Sequence, residues 1–300
     1  MLRRVCSALL LTSLLASPAW ANDGLAERAD ALVARMAPSG SQVGVSVVDL
    51  HSGEVLYSHQ ANDLFTPAST LKLLTSCAAL AELGLQFRLV TRVKTNSVVS
   101  NGVLQGHLYL QGDGDPTLEA SDLDAMAASL ARQGVKEVAG DLIADASAFA
   151  NEGAGGPGWS CDDLPWGYAA PACGLSLHRN EIDLAVSPGD RPGTPLHVAL
   201  TPRTDFVKLA CQAKTQAADG DGKLDVRDLH GLAPAGPISW ALLGGLPRGA
   251  GTQVLSCSVA DPAHFTATVF EEALARHGVH LDGHIRLGVT PSGSRTRAQH

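Results

Sequence analysis

Apolar residues recur at helical spacing from Leu25 to Met36, and the pattern then changes period. Val43 to Leu50 alternates as a strand, His51-Ser52-Gly53 makes a turn, and Glu54 to His59 returns as a second strand. Thr66-Pro67 opens a helix running to about Leu83, where Pro67 suits a first-turn position and Gly84 closes the far end. Beyond Phe87 the texture becomes β-rich. Leu89 to Thr95 and Val103 to Leu110 read as strands joined through Asn101-Gly102, a strong hairpin signal. A helix near Leu123 to Arg132 and a strand from Val138 to Ala144 follow. Residues 149–175 form a long loop rich in Gly, Pro and Trp, a length that ordinarily signals function or a lid. Short strands and turns fill Ile182 to about Val259. Asp261-Pro262 then caps a helix striped by Phe265, Val269, Phe270 and Leu274, with Gly278 as its stop. A last strand-like piece, His284 to Val289, runs into a Ser, Gly, Thr and Arg tail. The whole predicts an α+β chain: two strands and a helix, a β-rich insertion, then a helix again.

The N-terminal segment needs a separate reading. Arg3 and Arg4 precede an apolar run, Val5 to Leu15, and Ala19-Trp20-Ala21 offers small residues at the two positions a signal peptidase reads. Residues 1–21 are therefore predicted to be a cleavable secretory signal, too short for a membrane span. No later apolar stretch reaches the ~18 residues that a membrane helix requires. The chain carries 22 basic and 30 acidic residues, and loss of Arg3 and Arg4 takes its net charge from −8 to −10. Such a chain, without a Lys/Arg cluster, suits neither nucleic acid nor anionic lipid. Apolar residues at 45% with 17% charged ones specify a globular protein. Among the cysteines that follow the signal, none has CxxC spacing. In an oxidising compartment, Cys161 with Cys173 and Cys211 with Cys257 are the expected disulfides, although sequence does not fix the connectivity. Cys77, among leucines on a helix face, is expected to be a buried free thiol.

The chemistry concentrates in Pro67-Ala68-Ser69-Thr70-Leu71-Lys72-Leu73. Ser69 sits at a helix start and Lys72 three residues on, so both side chains leave the same face. A serine hydroxyl becomes a useful nucleophile when a neighbouring base takes its proton, and an amine one turn away can serve. The helix N-terminus adds N–H groups and partial positive charge for a developing oxyanion. Ser-x-x-Lys alone is common at ordinary helix starts, so its position carries the argument: a strand–turn–strand hairpin before it, and Leu71, Leu73 and Leu74 expected beneath it.

Other clusters carry less. Asp219-Gly220-Asp221-Gly222 begins like a calcium loop, but Lys223 takes a ligand position and Leu224 the required glycine. His277, His280 and His284 are scattered by the helix stop at Gly278. No metal site and no cofactor are expected.

Several blocks, in order, carry a resemblance. These are Pro67 to Lys72, Leu83-Gly84 to Phe87-Arg88, Asn101 to Gly106, Gly114 to Leu118, Gly140 to Phe149, the Gly158-Trp159…Asp163…Tyr168-Ala169-Ala170-Pro171 loop, and Gly278-Val279…Gly283. The chain resembles the class C low-molecular-mass penicillin-binding proteins, the D-alanyl-D-alanine carboxypeptidase/endopeptidases of penicillin-binding protein 4 type. The resemblance implies a periplasmic protein with a partial serine transpeptidase/β-lactamase-like domain and a large β-rich insertion. It implies a signal over 1–21, a first transpeptidase-like part over 22–88, inserted domains over 89–258, and a return towards the first domain over 259–300. Ser69 would be the acylated nucleophile and Lys72 its proton acceptor. Asp163, with Asp162 as the neighbouring alternative, would meet the amino group of stem-peptide diaminopimelate. Peptidoglycan peptides would be the substrate and β-lactams the inhibitors.

The chain also departs from that pattern. The family uses a Ser-x-Asn element and a Lys-Thr-Gly strand. No serine here has Asn two residues on; Lys94-Thr95 is followed by Asn96 and Lys214-Thr215 by Gln216. His51-Ser52-Gly53 approximates the second triplet but forms the first hairpin turn. The expectation is a chain truncated before both elements, with at most weak activity, since one lost oxyanion donor costs roughly 10²–10³ in rate. Two alternatives stand beside the peptidase reading. One is a non-catalytic, truncated homologue retaining at most peptidoglycan contacts. The other is a secreted β-lactamase relative, which leaves the long insertion after Lys72 unexplained.

Overall fold

The computed structural model describes residues 23–37, 40–150, 159–229 and 237–300. The expected signal over 1–21 and part of the long loop, 151–158, lie outside them. The chain divides into two units, Met1–Gln86 and Phe87–His300.

The first unit contains helix α1 (Asp23–Met36), strands β1 (Val45–Val48) and β2 (Val55–His59), and helix α2 (Leu71–Leu83). The strands pair antiparallel, Val45 against His59. Asp49 shapes their turn by accepting the amide N–H groups of His51 (2.8 Å) and Ser52 (2.7 Å), and Gly53 takes φ 76°. The Tyr57 ring is buried, and its hydroxyl donates to Asp30 Oδ1 at 2.6 Å, tying α1 to the hairpin. That bond pushes the phenol pKa upward. Leucines expected beneath the Ser-x-x-Lys segment are instead exposed, Leu73 by 69% and Leu74 by 68%, and Cys77 is exposed with them. An apolar run along a helix specifies burial only where something packs on that face.

The second unit runs through β3 (Thr91–Thr95), β4 (Val99–Ser100), β5 (Val103–Leu104), β6 (Leu108–Gly112), helix α3 (Ala120–Arg132), β7 (Glu137–Val138) and β8 (Leu142–Asp145). It continues with β9 (Glu181–Ser187), β10 (His197–Thr201), β11 (Val207–Cys211), β12 (Lys214–Gln216), β13 (Leu224–Asp228), β14 (Ile238–Pro247) and β15 (Gln253–Ser258). Helix α4 (Pro262–Arg276) and the strands β16 (His280–Leu281), β17 (Ile285–Leu287) and β18 (Arg295–Gln299) follow.

Among the described residues the largest sheet has the order β17-β8-β6-β3-β18, beside a smaller β16-β7-β5-β4 sheet. Helix α3 buries Leu123, Met126, Ala127 and Leu130, the i, i+3, i+4, i+7 stripe of an amphipathic helix. Helix α4 buries Phe265, Val269, Phe270 and Leu274 and is capped by Asp261, whose Oδ1 accepts the His264 N–H at 3.2 Å. Burying each large side chain contributes about 1.5–3 kcal/mol. Both helices pack with Val93, Leu110 and Leu142 of the sheet in one core. Asp124 of α3 binds Arg276 (3.1 Å) and His277 (2.8 Å), locking α3 to the end of α4. A β10-β9-β15 sheet and a β11-β14-β12 sheet, with β13 also on β14, form the remaining part.

Several expectations need correction. Asn101 (φ 53°) and Gly102 (φ 85°) do make a hairpin turn, but it joins the short β4 and β5. Leu108 to Gly112 forms a separate strand on β3. The run from Val138 to Ala144 is broken at Gly140, where a Cβ would meet the Gly106 carbonyl carbon at 2.7 Å, and the chain passes there from one sheet to the other. The polar tail holds β18, which pairs with β3. Neither expected disulfide is joined: Cys161, Cys173, Cys211 and Cys257 are free thiols, with Cys257 buried and Cys211 exposed.

Candidate active site

Pro67 (φ −69°) leads into a single 3₁₀ turn, Ala68–Thr70, which runs directly into α2. Thr70 anchors this entry by donating both its N–H, at 2.9 Å, and its hydroxyl to the Pro67 carbonyl. Ala68 takes φ 43°, a left-handed conformation that an L-residue holds only at an energetic cost. The backbone is thus bent immediately before Ser69. From the first turn of α2, Lys72 reaches back and its Nζ donates to Ser69 Oγ at 3.2 Å. Hydroxyl and amine therefore meet across one turn, as the three-residue spacing predicts. Both residues are exposed. Gly84, at φ 78°, ends the helix.

Asp163 belongs to the second unit. Its amide donates to the Ser160 carbonyl and its carbonyl accepts from Trp166, both at 3.0 Å, which folds the residues into a tight turn. Its carboxylate accepts the Tyr168 hydroxyl at 2.7 Å, while Asp162 is exposed beside it. The bond to Asp163 pushes the Tyr168 phenol pKa upward. Tyr168 stands in a one-turn 3₁₀ segment, Gly167–Ala169, and its ring lies 5.8 Å from that of Trp159. Nothing in the sequence singles out Tyr168 as a partner of Asp163, because a five-residue separation within a loop carries no periodic signal. The structure brings Ser69 and Lys72 together, and Asp163 with Tyr168. Among the described residues no group of three or more His, Cys, Asp or Glu side chains is placed to hold a metal ion. No described helix is long and apolar enough to cross a membrane.

The family model for the D-Ala-D-Ala carboxypeptidase 3 (S13) family matches residues 25–300. The chain belongs to that family. Among curated relatives, the D-alanyl-D-alanine carboxypeptidase of Actinomadura sp. (strain R39) is 36% identical over 294 residues, covering 94% of this chain and 53% of the relative. The D-alanyl-D-alanine carboxypeptidase DacB of Haemophilus influenzae is 26% identical over 269 residues, or 88% of this chain and 54% of the relative. The chain spans about half the length of the curated relatives it matches.

Solved structures agree in fold. The crystal structure of penicillin binding protein 4 (dacB) from Haemophilus influenzae superposes with a TM-score of 0.74 at 25% identity, over 90% of this chain and 58% of that one. The same protein complexed with a novel β-lactam superposes with a TM-score of 0.66 at 22% identity, over 90% of this chain and 57% of that one. The S13 chain is thus a mixed helix-and-sheet protein of the penicillin-binding protein 4 type.

Proposed function

We propose that this chain provides the nucleophile-bearing part of a serine-type D-alanyl-D-alanine carboxypeptidase/endopeptidase acting on peptidoglycan stem peptides after export to the periplasm. The observation that supports this reading best is the 3.2 Å contact from Lys72 Nζ to Ser69 Oγ at the start of a helix, within an S13 chain.

In this reading Ser69 Oγ attacks the carbonyl carbon of the penultimate D-Ala. Its proton passes to the Lys72 amine, which must be neutral at that moment, and then to the departing D-Ala amine. The C–N bond breaks and an ester to Ser69 remains. Water hydrolyses the ester, returning the proton to Ser69. The N–H groups at the start of α2 supply partial positive charge near the developing oxyanion. Asp163, or its neighbour Asp162, receives the ammonium of a diaminopimelate side chain. A β-lactam, whose strained amide mimics the scissile bond, would acylate the same oxygen.

Oxyanion stabilisation works in a water-excluded site, whereas Ser69 and Lys72 are exposed. The 300 residues also contain neither Ser-x-Asn nor Lys-Thr-Gly. We therefore propose that the 300-residue polypeptide alone acylates far more slowly than a full-length relative. The exposure of Ser69 and Lys72 favours the second reading, a non-catalytic homologue that retains peptidoglycan contacts. Fluorescent penicillin separates the two: slow labelling that Ser69→Ala abolishes supports the enzyme, and no labelling at all supports the second reading.

A further inference from the structure

A groove of about 580 Å³ lies in the second unit, beside the Asp163 turn; with the proposed substrate site it shares Tyr168, whose hydroxyl bonds Asp163. Trp166, Tyr168, Arg179, Glu181, Val254 and Ser256 line it. Three of its features point to one kind of ligand.

The first is an open strand edge. Val259 N–H donates to the Asn180 carbonyl, so the odd-numbered residues of β15 bond β9. Ser258 N–H donates the other way, to the Pro165 carbonyl, so the even-numbered residues turn their N–H and C=O groups outward. Pro165 and Trp166 cover this outer edge at Cys257 and Ser258. Val254 lies beyond that cover and presents an amide donor and acceptor to the groove. Another amide group can pair with both.

The second is Arg179. His178, Arg179 and Asn180 have φ of 48°, 56° and 63°, three successive non-glycine residues in the left-handed region. The turn is held from both ends. His178 bonds Glu119 at 2.8 Å and Asp183 at 3.3 Å, and the Asn180 amide donates to the Pro171 carbonyl at 2.8 Å and to Ser176 Oγ at 3.1 Å. Arg179 between them is 62% exposed, with Glu181 at 3.8 Å. Strain fixed in this way is typical of ligand clamps. The adjacent guanidinium and carboxylate are planar donors and acceptors of opposite charge, so they suit neighbouring hydroxyl groups more than a net charge.

The third is an aromatic shelf. Tyr168 is 65% exposed and is braced by Trp159, with Trp166 half-buried along the same wall. A large aromatic face kept in water offers a surface for the C–H-rich face of a pyranose ring.

We infer that this groove binds an N-acetylated hexosamine unit of a glycan chain. The acetamido group pairs with the Val254 edge, the ring lies on Tyr168, and its hydroxyls meet Arg179 and Glu181. An extended peptide added to β15 is the competing occupant. It would need a longer open edge than Trp166 leaves and would have no use for the aromatic shelf. The site makes no demand on the Ser69 chemistry.

Calorimetry on the full chain with N,N′,N″,N‴-tetraacetylchitotetraose and with cellotetraose tests this, because the two differ in the acetamido group. The first should bind and the second should not. Arg179→Ala and Val254→Pro should each weaken binding by at least about tenfold, and Ser69→Ala should leave it unchanged. Proline at Val254 removes an outward N–H and leaves the β9 ladder intact. Amide NMR on the unmutated protein gives a second readout independent of any folding defect, with ligand-induced shifts expected at Gly167, Arg179 and Val254. Equal binding of both sugars, no binding of either, or shifts confined elsewhere would overturn the assignment. Binding of an extended peptide in place of the sugar, lost in Val254→Pro, would also overturn it.

Discussion

Tyr168 donates its hydroxyl hydrogen to Asp163 at 2.7 Å, so a phenol holds in place the carboxylate proposed to receive a substrate amine. Tyr168→Phe keeps the ring and deletes that tether. In the whole-length protein the expected result is a KM for diaminopimelate-bearing peptides raised by about three- to tenfold, with kcat little changed, since one such bond is worth about 1 kcal/mol. If kcat falls and KM stays fixed, Asp163 does not bind substrate in the ground state.

Lys72→Ala removes the proton acceptor of Ser69. β-Lactam acylation should slow by roughly 10²–10⁴-fold, the usual contribution of a positioned general base. Lys72→Arg should not restore it, because a guanidinium stays protonated. Stopped-flow labelling measures this. Full rescue by arginine would reduce Lys72 to an electrostatic role.

His178 links the pH dependence to the fold. Burial disfavours its cationic form, yet the bonds from Glu119 and Asp183 outweigh that and raise its pKa above the usual imidazole value. A raised folded pKa means stabilisation fully present below the unfolded value of about 6.5, and lost as pH rises through the folded value. His178→Asn tolerates the left-handed backbone but cannot carry charge. Its thermal midpoint should fall below that of the unmutated chain at pH 5 by more than at pH 9. Equal deficits at both would rule out the ionic contribution.

Asp145 is fully buried and accepts from the Ser147 hydroxyl (2.6 Å) and amide (3.0 Å), Gln111 Nε2 (3.1 Å) and the Thr290 amide (2.8 Å). Burial pushes its pKa up, but these donors outweigh it and hold the pKa below the usual value. Stabilisation is therefore present above the unfolded pKa of about 3.9 and is lost as pH falls through the folded one. Asp145→Ala should cost about 3 kcal/mol at pH 7 in urea unfolding, and the deficit should shrink in acid. A deficit independent of pH would mean that packing dominates.

Cys257 is buried, and its thiol pKa is pushed up to about 12 by desolvation and by Asp183 and Glu181. Iodoacetamide should modify the exposed Cys77, Cys161 and Cys211 in minutes and Cys257 only after unfolding. Peptide mass spectrometry reads the order. Early modification of Cys257 would show that the β9–β15 region opens readily.

Local chemistry was the legible part of this fold. Pro67, Gly84 and the Ser69-to-Lys72 spacing belong to one short stretch, a 3₁₀ turn running into α2, where residues three apart fall on the same face. The α4 boundaries likewise follow from Asp261-Pro262, its apolar stripe and Gly278. Long-range pairing was not legible. Arg295 to Gln299 is polar because it forms a sheet edge, and polar alternation at an edge resembles a tail. The His178-Arg179-Asn180 turn lacks the glycine that ordinarily signals positive φ, and contacts from Glu119, Asp183 and Pro171 hold it instead. The Tyr168–Asp163 bond likewise depends on a loop conformation that no local period encodes.

The largest sheet is built from its centre outward. Its inner strands, β3, β6 and β8, leave the ribosome first, while both flanks, β17 and β18, come from residues after α4. A nascent polypeptide halted before β17 would therefore hold three strands with raw hydrogen-bonding borders on either side, a template for unwanted association. Shielding those borders falls to β17 and β18, so deleting either strand should harm solubility far more than the three or five residues lost would suggest.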